Sequence, residues 1–260
     1  MKLRLGHHIY GFAVIFFGII TLVWHQIKSL GNISHPLILV YVAGIIELIA
    51  GLAIQWQRTV RFGALTIGAI FLIFSLFLIP PIFKMPLVYY TWGNFFEEFS
   101  IVLGSVFVFA STISNDPKRA IKIEKAAYVC YGICVISYSV YQLFYLPYTA
   151  GLVPKWIPPG QMFWAVSTSI AFALAAVAIF SGRQARLATG LLTTMFVSFC
   201  LIVWLPKCIT DPYSLTYWFS NDMTLAVAGA AWIVSDFLSQ PKFSSLTLPF
   251  IHKSIKGEKD

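Results

Sequence analysis

Along this chain the apolar residues come in long blocks separated by short polar intervals, and eight of those blocks are long enough to cross a hydrocarbon layer about 30 Å thick. They run from about His8 to Trp24, Pro36 to Ile54, Phe62 to Phe83, Phe95 to Ile113, Ala126 to Leu146, Met162 to Phe180, Leu187 to Leu205 and Met223 to Leu238. Backbone groups in lipid must satisfy one another, so each block is expected to be a helix. The gaps between them are too short for folded domains. His7 and His8 open the first block, and Asp222 and Asp236 bracket the last.

Composition agrees with that pattern. Hydrophobic residues make up 58% of the 260 and charged residues 11%, too little polarity to cover a water-soluble globule of this size. The basic residues divide unevenly between the two sets of loops that eight crossings create. Lys2, Arg4, Arg58, Arg61, Lys118, Arg119, Lys122, Lys125, Arg183, Arg186, Lys242, Lys253, Lys256 and Lys259 fall on one side, and Lys28, Lys84, Lys155 and Lys207 on the other. Cytoplasmic loops collect Lys and Arg, so both ends of the chain are expected in the cytoplasm, with the protein integral to the cell membrane. No small-residue cleavage site follows Trp24, so the first block is expected to stay in place. The net charge of +8 is spread over loop ends, which points to topology and anionic lipid and excludes a nucleic-acid face. Trp24, Trp92, Trp156, Trp164, Trp204 and Trp218 all fall at the opposite side, as an interfacial belt or as a cap over a cavity.

The chain also repeats itself. Arg58 and Arg61 recur as Arg183 and Arg186, Pro81 as Pro206, Glu97 as Asp222 and Gly104 as Gly229, each pair 125 positions apart. Tyr10-Gly11 recurs as Tyr131-Gly132 at 121, and Trp92 as Trp218 at 126. Four crossings per copy is an even number, so the copies share one orientation and an axis along the membrane normal. The expectation is an all-α membrane protein of two parallel four-helix bundles, 1–115 and 126–240, joined by a cytoplasmic linker at 116–125 and followed by a basic tail at 241–260.

GIIELIAGLAI followed by RTVR, then NFFEEFSIVLGSVFVFA, resembles the four-helix DoxX family, and VPKWIPPGQMFWAV, LLTTMFVSFCLIVWLPK and NDMTLAVAGAAWIVSD carry a DoxX-like pattern through the second copy. The resemblance covers nearly the whole chain and is spread over Gly, Glu, Arg and aromatic positions. It implies a small membrane subunit or accessory of a quinone-linked or redox assembly, with redox-complex subunits as partners and a quinone as the ligand. Glu47 and Glu98 match the family's acids, with Glu97 adjacent. Phe172 stands where Glu47 would recur and Met223 where Glu98 would, so a carboxylate role inherited from the family would rest with the first half.

Glu47 is the residue most in need of explanation. It sits about eleven residues into its block, where an ionised carboxylate costs roughly 2.5–3.5 kcal/mol, so it should be neutral, paired or facing a wet cavity. Gly44 and Gly51, at i−3 and i+4, share its face and would admit a close neighbour, which turns Glu47 into the bundle. It is then either a hydrogen-bonded tie between helices or a ligand-binding or proton-relay group. Glu97, Glu98 and Asp222 are expected to open their helices, with Asn94 as a cap, and either complement the helix end or mark a path towards Glu47.

Other candidates carry less. His7, Gly11, Gly18, Thr21 and His25 form one stripe on the first block; haem ligation by His25 and His35 is disfavoured because both lie at block ends, and a small-residue packing stripe accounts for the glycines. Cys130 and Cys134 are four apart and buried in lipid; Cys208 is the thiol best placed to react. Arg58, Arg61, Arg183 and Arg186 could contact an anionic lipid or an acidic partner. The tail motif TLPFI could lie on the membrane surface. There is no Walker loop, no dinucleotide fingerprint and no zinc spacing, and no nucleophile beside a base, which argues against a self-sufficient enzyme. Three classes stay open: a non-catalytic redox subunit, a small-molecule or proton-coupled permease, and a ligand-free scaffold or assembly factor.

Overall fold

A computed structural model describes residues 4–30, 36–113 and 117–239. His35, Lys2 and the basic tail with TLPFI lie outside the described residues. Those described are overwhelmingly helical, with no strand among them. The elements are α1 (Leu5–Trp24), a 3-10 turn (Lys28–Leu30), α2 (Leu37–Ile54), α3 (Val60–Phe77), α4 (Ile79–Lys84), α5 (Tyr89–Ser111), α6 (Pro117–Phe144), α7 (Leu146–Leu152), α8 (Gln161–Ser181), α9 (Ala185–Ser198), a π-helical segment (Phe199–Trp204), α10 (Leu205–Thr210) and α11 (Leu215–Leu238). Among the described residues seven helical stretches are long and apolar enough to cross a membrane: α1, α2, α3 with α4, α5, α6, α8, and α9 through α10. This is the profile of a multi-pass membrane protein.

α11 stands apart from those seven. It is 24 residues long, yet Thr216, Ser220, Asn221, Asp222, Thr224, Ser235 and Asp236 dilute its apolarity. Its surroundings explain the tolerance, because α1, α5 and α9 all pack against it and much of its length is buried. A helix that faces protein on most sides does not need a lipophilic surface.

The packing follows one circuit: α1 on α2, α2 on α3, α3 on α5, α5 on α6, α6 on α8, α8 on α9, α9 on α11, and α11 back on α1, with α5 and α11 also meeting across the middle. The first helix of each half thus seats against the last helix of the other. Within the first half α1 also reaches α5, where the Tyr10 hydroxyl donates to the Ile101 carbonyl, so α5 and α11 each pack on their own half and on the other.

Helices extend past the apolar blocks that predicted them. α5 begins at Tyr89 rather than near Phe95, and α11 at Leu215 rather than Met223. α6 begins at Pro117, so nearly all of the expected linker is helix, carrying Lys118, Arg119, Lys122 and Lys125. The reason is that a helix continues into the headgroup and water layers, where polar and aromatic residues hold it as well as apolar ones do.

Two unbroken helices admit a single offset between them, and the structure selects it. α5 and α11 are capped by Val88 and Ser214, and Trp92 and Trp218 donate their indole N–H groups to the carbonyls of Pro86 (3.1 Å) and Pro212 (2.9 Å). A Cβ built on Gly104 would lie 3.0 Å from Ala230 Cβ, placing residues 126 apart at the crossing of the two helices. The spacing of 126 therefore holds along this pair, and the coincidences at 125, Glu97 with Asp222 and Gly104 with Gly229, are not positional equivalents.

α1 and α2 approach backbone to backbone. A Cβ on Gly18 would lie 2.7 Å from Gly44 O, one on Gly51 2.7 Å from Gly11 O, and one on Gly11 2.9 Å from Gly51 O. Two glycines seven residues apart on each helix thus mesh, and the stripe on α1 is the packing seam expected of it. Gly18→Ala is expected to lower stability by about 1–3 kcal/mol through overpacking against backbone that cannot yield. Gly151→Ala, with nothing within 4 Å, should leave it nearly unchanged. Thermal unfolding in detergent measures both.

Candidate functional site

The α1–α2 seam fixes the position of Glu47. With Gly44 and Gly51 meshed into α1, the residue between them on the same face points at α1 and into the protein, and Glu47 is 2% exposed. Its Oε2 accepts a hydrogen bond of 3.0 Å from Thr21 Oγ1, one more member of the α1 stripe. The carboxyl thus lies inside the protein, as the flanking glycines imply.

Glu98 is 2% exposed and Asp222 1%. Neither opens a helix. Glu98 lies nine residues after Tyr89 and Asp222 seven after Leu215, and Asn94 is inside α5 and caps nothing. The helix-start reading of these acids is thereby overturned, because Gly93, Trp92, Thr91, Tyr90 and Tyr89 continue the helix outward from the apolar block. Glu98 is hydrogen bonded by the Ser29 hydroxyl, which the 3-10 turn after α1 brings to it, and it lies within electrostatic reach of Glu47. Asp222 is also within reach of Glu47. Three carboxyl groups on α2, α5 and α11 thus gather between about one and three helical turns from the Trp-rich end.

Asp222 belongs to the second half of the chain. The expectation that any carboxylate role rests with the first half alone gives way, since packing of α11 on α1 delivers this acid to its partners. Phe17, one turn from Thr21, is edge-on to Phe71 (5.4 Å between centroids) and to Phe219 (5.5 Å), and Phe219 is one turn from Asp222. Aromatic rings therefore adjoin the acids. The second half has rings throughout: Phe172, at the position of Glu47, packs on Tyr138 (5.6 Å) and Phe196 (5.4 Å).

Hydrogen-bonding capacity around the acids is incomplete. Glu98 Oε2 and both carboxyl oxygens of Asp222 are buried without a hydrogen-bond partner, and so is Asn221 Oδ1. Buried polar atoms are nearly always satisfied, so orphaned oxygens of this kind call for protons, water or a bound group. The π-helical segment runs beside them, with Cys200 Sγ donating to Asn221 O at 3.6 Å. Segments of this kind occur frequently at functional positions.

Glu97, the neighbour of Glu98 in the chain, lies within its electrostatic reach. Successive helical residues differ by about 100°, and Glu97 lies within electrostatic reach of Tyr138, Tyr141 and Tyr148 on the α6 side of α5. Arg58, Arg61, Arg183 and Arg186 are exposed at the opposite end of the helices, remote from the acids. His7 is buried against protein, and His25 ends α1 with its ring edge-on to Tyr41. Cys208, expected to be the reactive thiol, is fully buried. No group of three or more His, Cys, Asp or Glu among the described residues is arranged to hold a metal ion. Ser29 and Phe219 were not singled out by sequence, since one lies in a loop and the other in a helix read as too polar to extend that far.

No family model matches the chain, and no curated protein or solved structure matches it either.

Removing the Thr21 hydroxyl leaves a buried Glu47 oxygen without its donor. Thr21→Val, of nearly the same shape, is therefore expected to cost about 1–3 kcal/mol. Glu47→Gln in that background should recover part of the loss, read by a double-mutant cycle of detergent unfolding.

Proposed function

We propose that the chain is a DoxX-like integral membrane protein of eight spans, α11 being the eighth, built from two parallel-related units of four. Both ends lie at the cytoplasmic face of the cell membrane. It serves as a non-catalytic membrane subunit or accessory of a quinone-linked redox assembly, in which Glu47, Glu98 and Asp222 hold and exchange protons. The observation that carries this reading is the meeting of three buried acids from both halves, with three of their oxygens lacking any hydrogen-bond partner.

The chemistry supports the proton-holding role directly. Three carboxylates cannot all stay ionised within reach of one another in a low-dielectric interior, so the cluster carries protons that it can lend. A protonated carboxyl donates a hydrogen bond, and a quinone carbonyl accepts one. Reduction of a quinone consumes protons, which a cluster near the membrane surface can supply. The basic residues support the orientation through their 14-to-4 division between the two sides.

A proton-coupled permease is the second reading, favoured by the interruptions of corresponding spans. α3 gives way to α4 just before Pro80 and Pro81, and α9 passes through the π-helical segment to α10 and Pro206, beside Asp222. Carriers built from repeats bind their cargo at helices interrupted near the midplane; here the prolines lie towards the outer ends, and the π-helical segment is the interruption nearest Asp222.

Infrared difference spectroscopy tests the common core of both readings. At neutral pH the wild type is expected to show the carbonyl stretch of protonated carboxylic acid, diminished in Glu47→Gln and again in Asp222→Asn; a spectrum without that band sinks the proton-holding role. Redox-difference spectra with added quinone then separate the two. The subunit reading expects quinone binding that weakens in Glu47→Gln, and the permease reading expects pH-gradient-driven uptake lost in the same variant.

A further inference from the structure

The two halves differ most plainly at the Arg-rich end of their third and fourth long helices. α3 and α9 are capped by Thr59 and Gln184, 125 apart, and α5 and α11 by Val88 and Ser214, 126 apart. On these offsets Arg61, Leu65 and Phe109 correspond to Arg186, Gly190 and Ser235. In the first half the Arg61 guanidinium lies over the Phe109 ring, 5.6 Å from its centroid. In the second half the leucine and phenylalanine are replaced by glycine and serine, and a crevice of about 430 Å³ opens between α9 and α11, lined by Arg186, Leu187, Gly190, Leu191 and Ser235.

The crevice has two chemically distinct parts. Its walls are apolar: Gly190 presents no side chain, and Leu187 and Leu191 are 57% and 60% exposed along its edge. The Ser235 hydroxyl is turned to the Arg186 carbonyl (3.3 Å) and adds little polarity. Arg186, a lining residue, lies in the first turn of α9, where the helix end itself favours negative charge. Asp236, the acid within reach of Arg186, is paired with Arg4 through Oδ1 at 3.5 Å, its Oδ2 having no hydrogen-bond partner and no hydrogen bond to Arg186. A free anion would satisfy the guanidinium and leave the leucine-walled slot unfilled. A neutral lipid would fill the slot and leave the charge unanswered.

We infer that the α9–α11 crevice binds one anionic phospholipid, its acyl chain lying between Leu187, Leu191 and the face of Gly190, and its phosphate on Arg186. A guanidinium takes phosphate oxygens through two parallel N–H donors, which suits arginine to this position. Basic pockets between membrane helices hold anionic headgroups in the same way. The inference rests on the chain's crossing the membrane and is independent of what the acid cluster does.

The full chain, purified in mild detergent and exposed to equal amounts of phosphatidylglycerol and phosphatidylcholine, is examined by native mass spectrometry. One retained phosphatidylglycerol is expected, with its loss in Arg186→Gln and in Gly190→Leu, and its retention in Arg61→Gln. The leucine should be accommodated, since a Cβ at Gly190 meets nothing nearer than Ser235 Oγ at 3.6 Å. Ser235→Phe, which restores the first half's residue, fills the same space from the other wall and should abolish the adduct as well. Equal retention of both lipids, retention unchanged by either crevice-filling variant, or displacement of the lipid by inorganic phosphate would each overturn the inference.

Discussion

Hydrocarbon offers a carboxyl group nothing, so a protein that keeps acids among membrane-spanning helices must itself supply their protons and hydrogen bonds. In this structure that constraint organises the region around Glu47. The glycines of α1 and α2 bring two backbones together, and the same contact turns Glu47 onto Thr21. The 3-10 turn after α1 returns Ser29 to Glu98, and α11 brings Asp222 to the group. Close helix packing and sheltered acidity are thus one arrangement.

The two halves differ in side chains at positions that correspond along the chain. At the position of Glu47 the second half has Phe172, and rings from Tyr138, Phe172 and Phe196 fill what the first half leaves to acids. At the other end the inequality is reversed. There the first half has Arg61 over Phe109, and the second opens a crevice lined in part by Arg186.

Much was legible in the sequence because a bilayer imposes a coarse, one-dimensional rule. Block length located the seven apolar helices, and the i−3 and i+4 glycines turned Glu47 inward, since a helix fixes which residues share a face. The helix ends were misplaced for the same reason. The rule measures hydrocarbon, whereas α5 and α6 continue beyond it on tyrosine, tryptophan, lysine and arginine. That error made Glu98 and Asp222 look like helix-start residues, and it concealed that they are buried as deeply as Glu47.

Composition and periodicity by themselves determined that this is a helical membrane protein, which faces its helices turn inward, and that one acid must be sheltered. Those properties follow from the solvent and from the geometry of a single helix. Which acids meet, that α11 lies against α1, and that the register between α5 and α11 is 126 were decided by tertiary structure. Partner choice between helices depends on the matching of surfaces in three dimensions, and a hydropathy pattern carries no record of it.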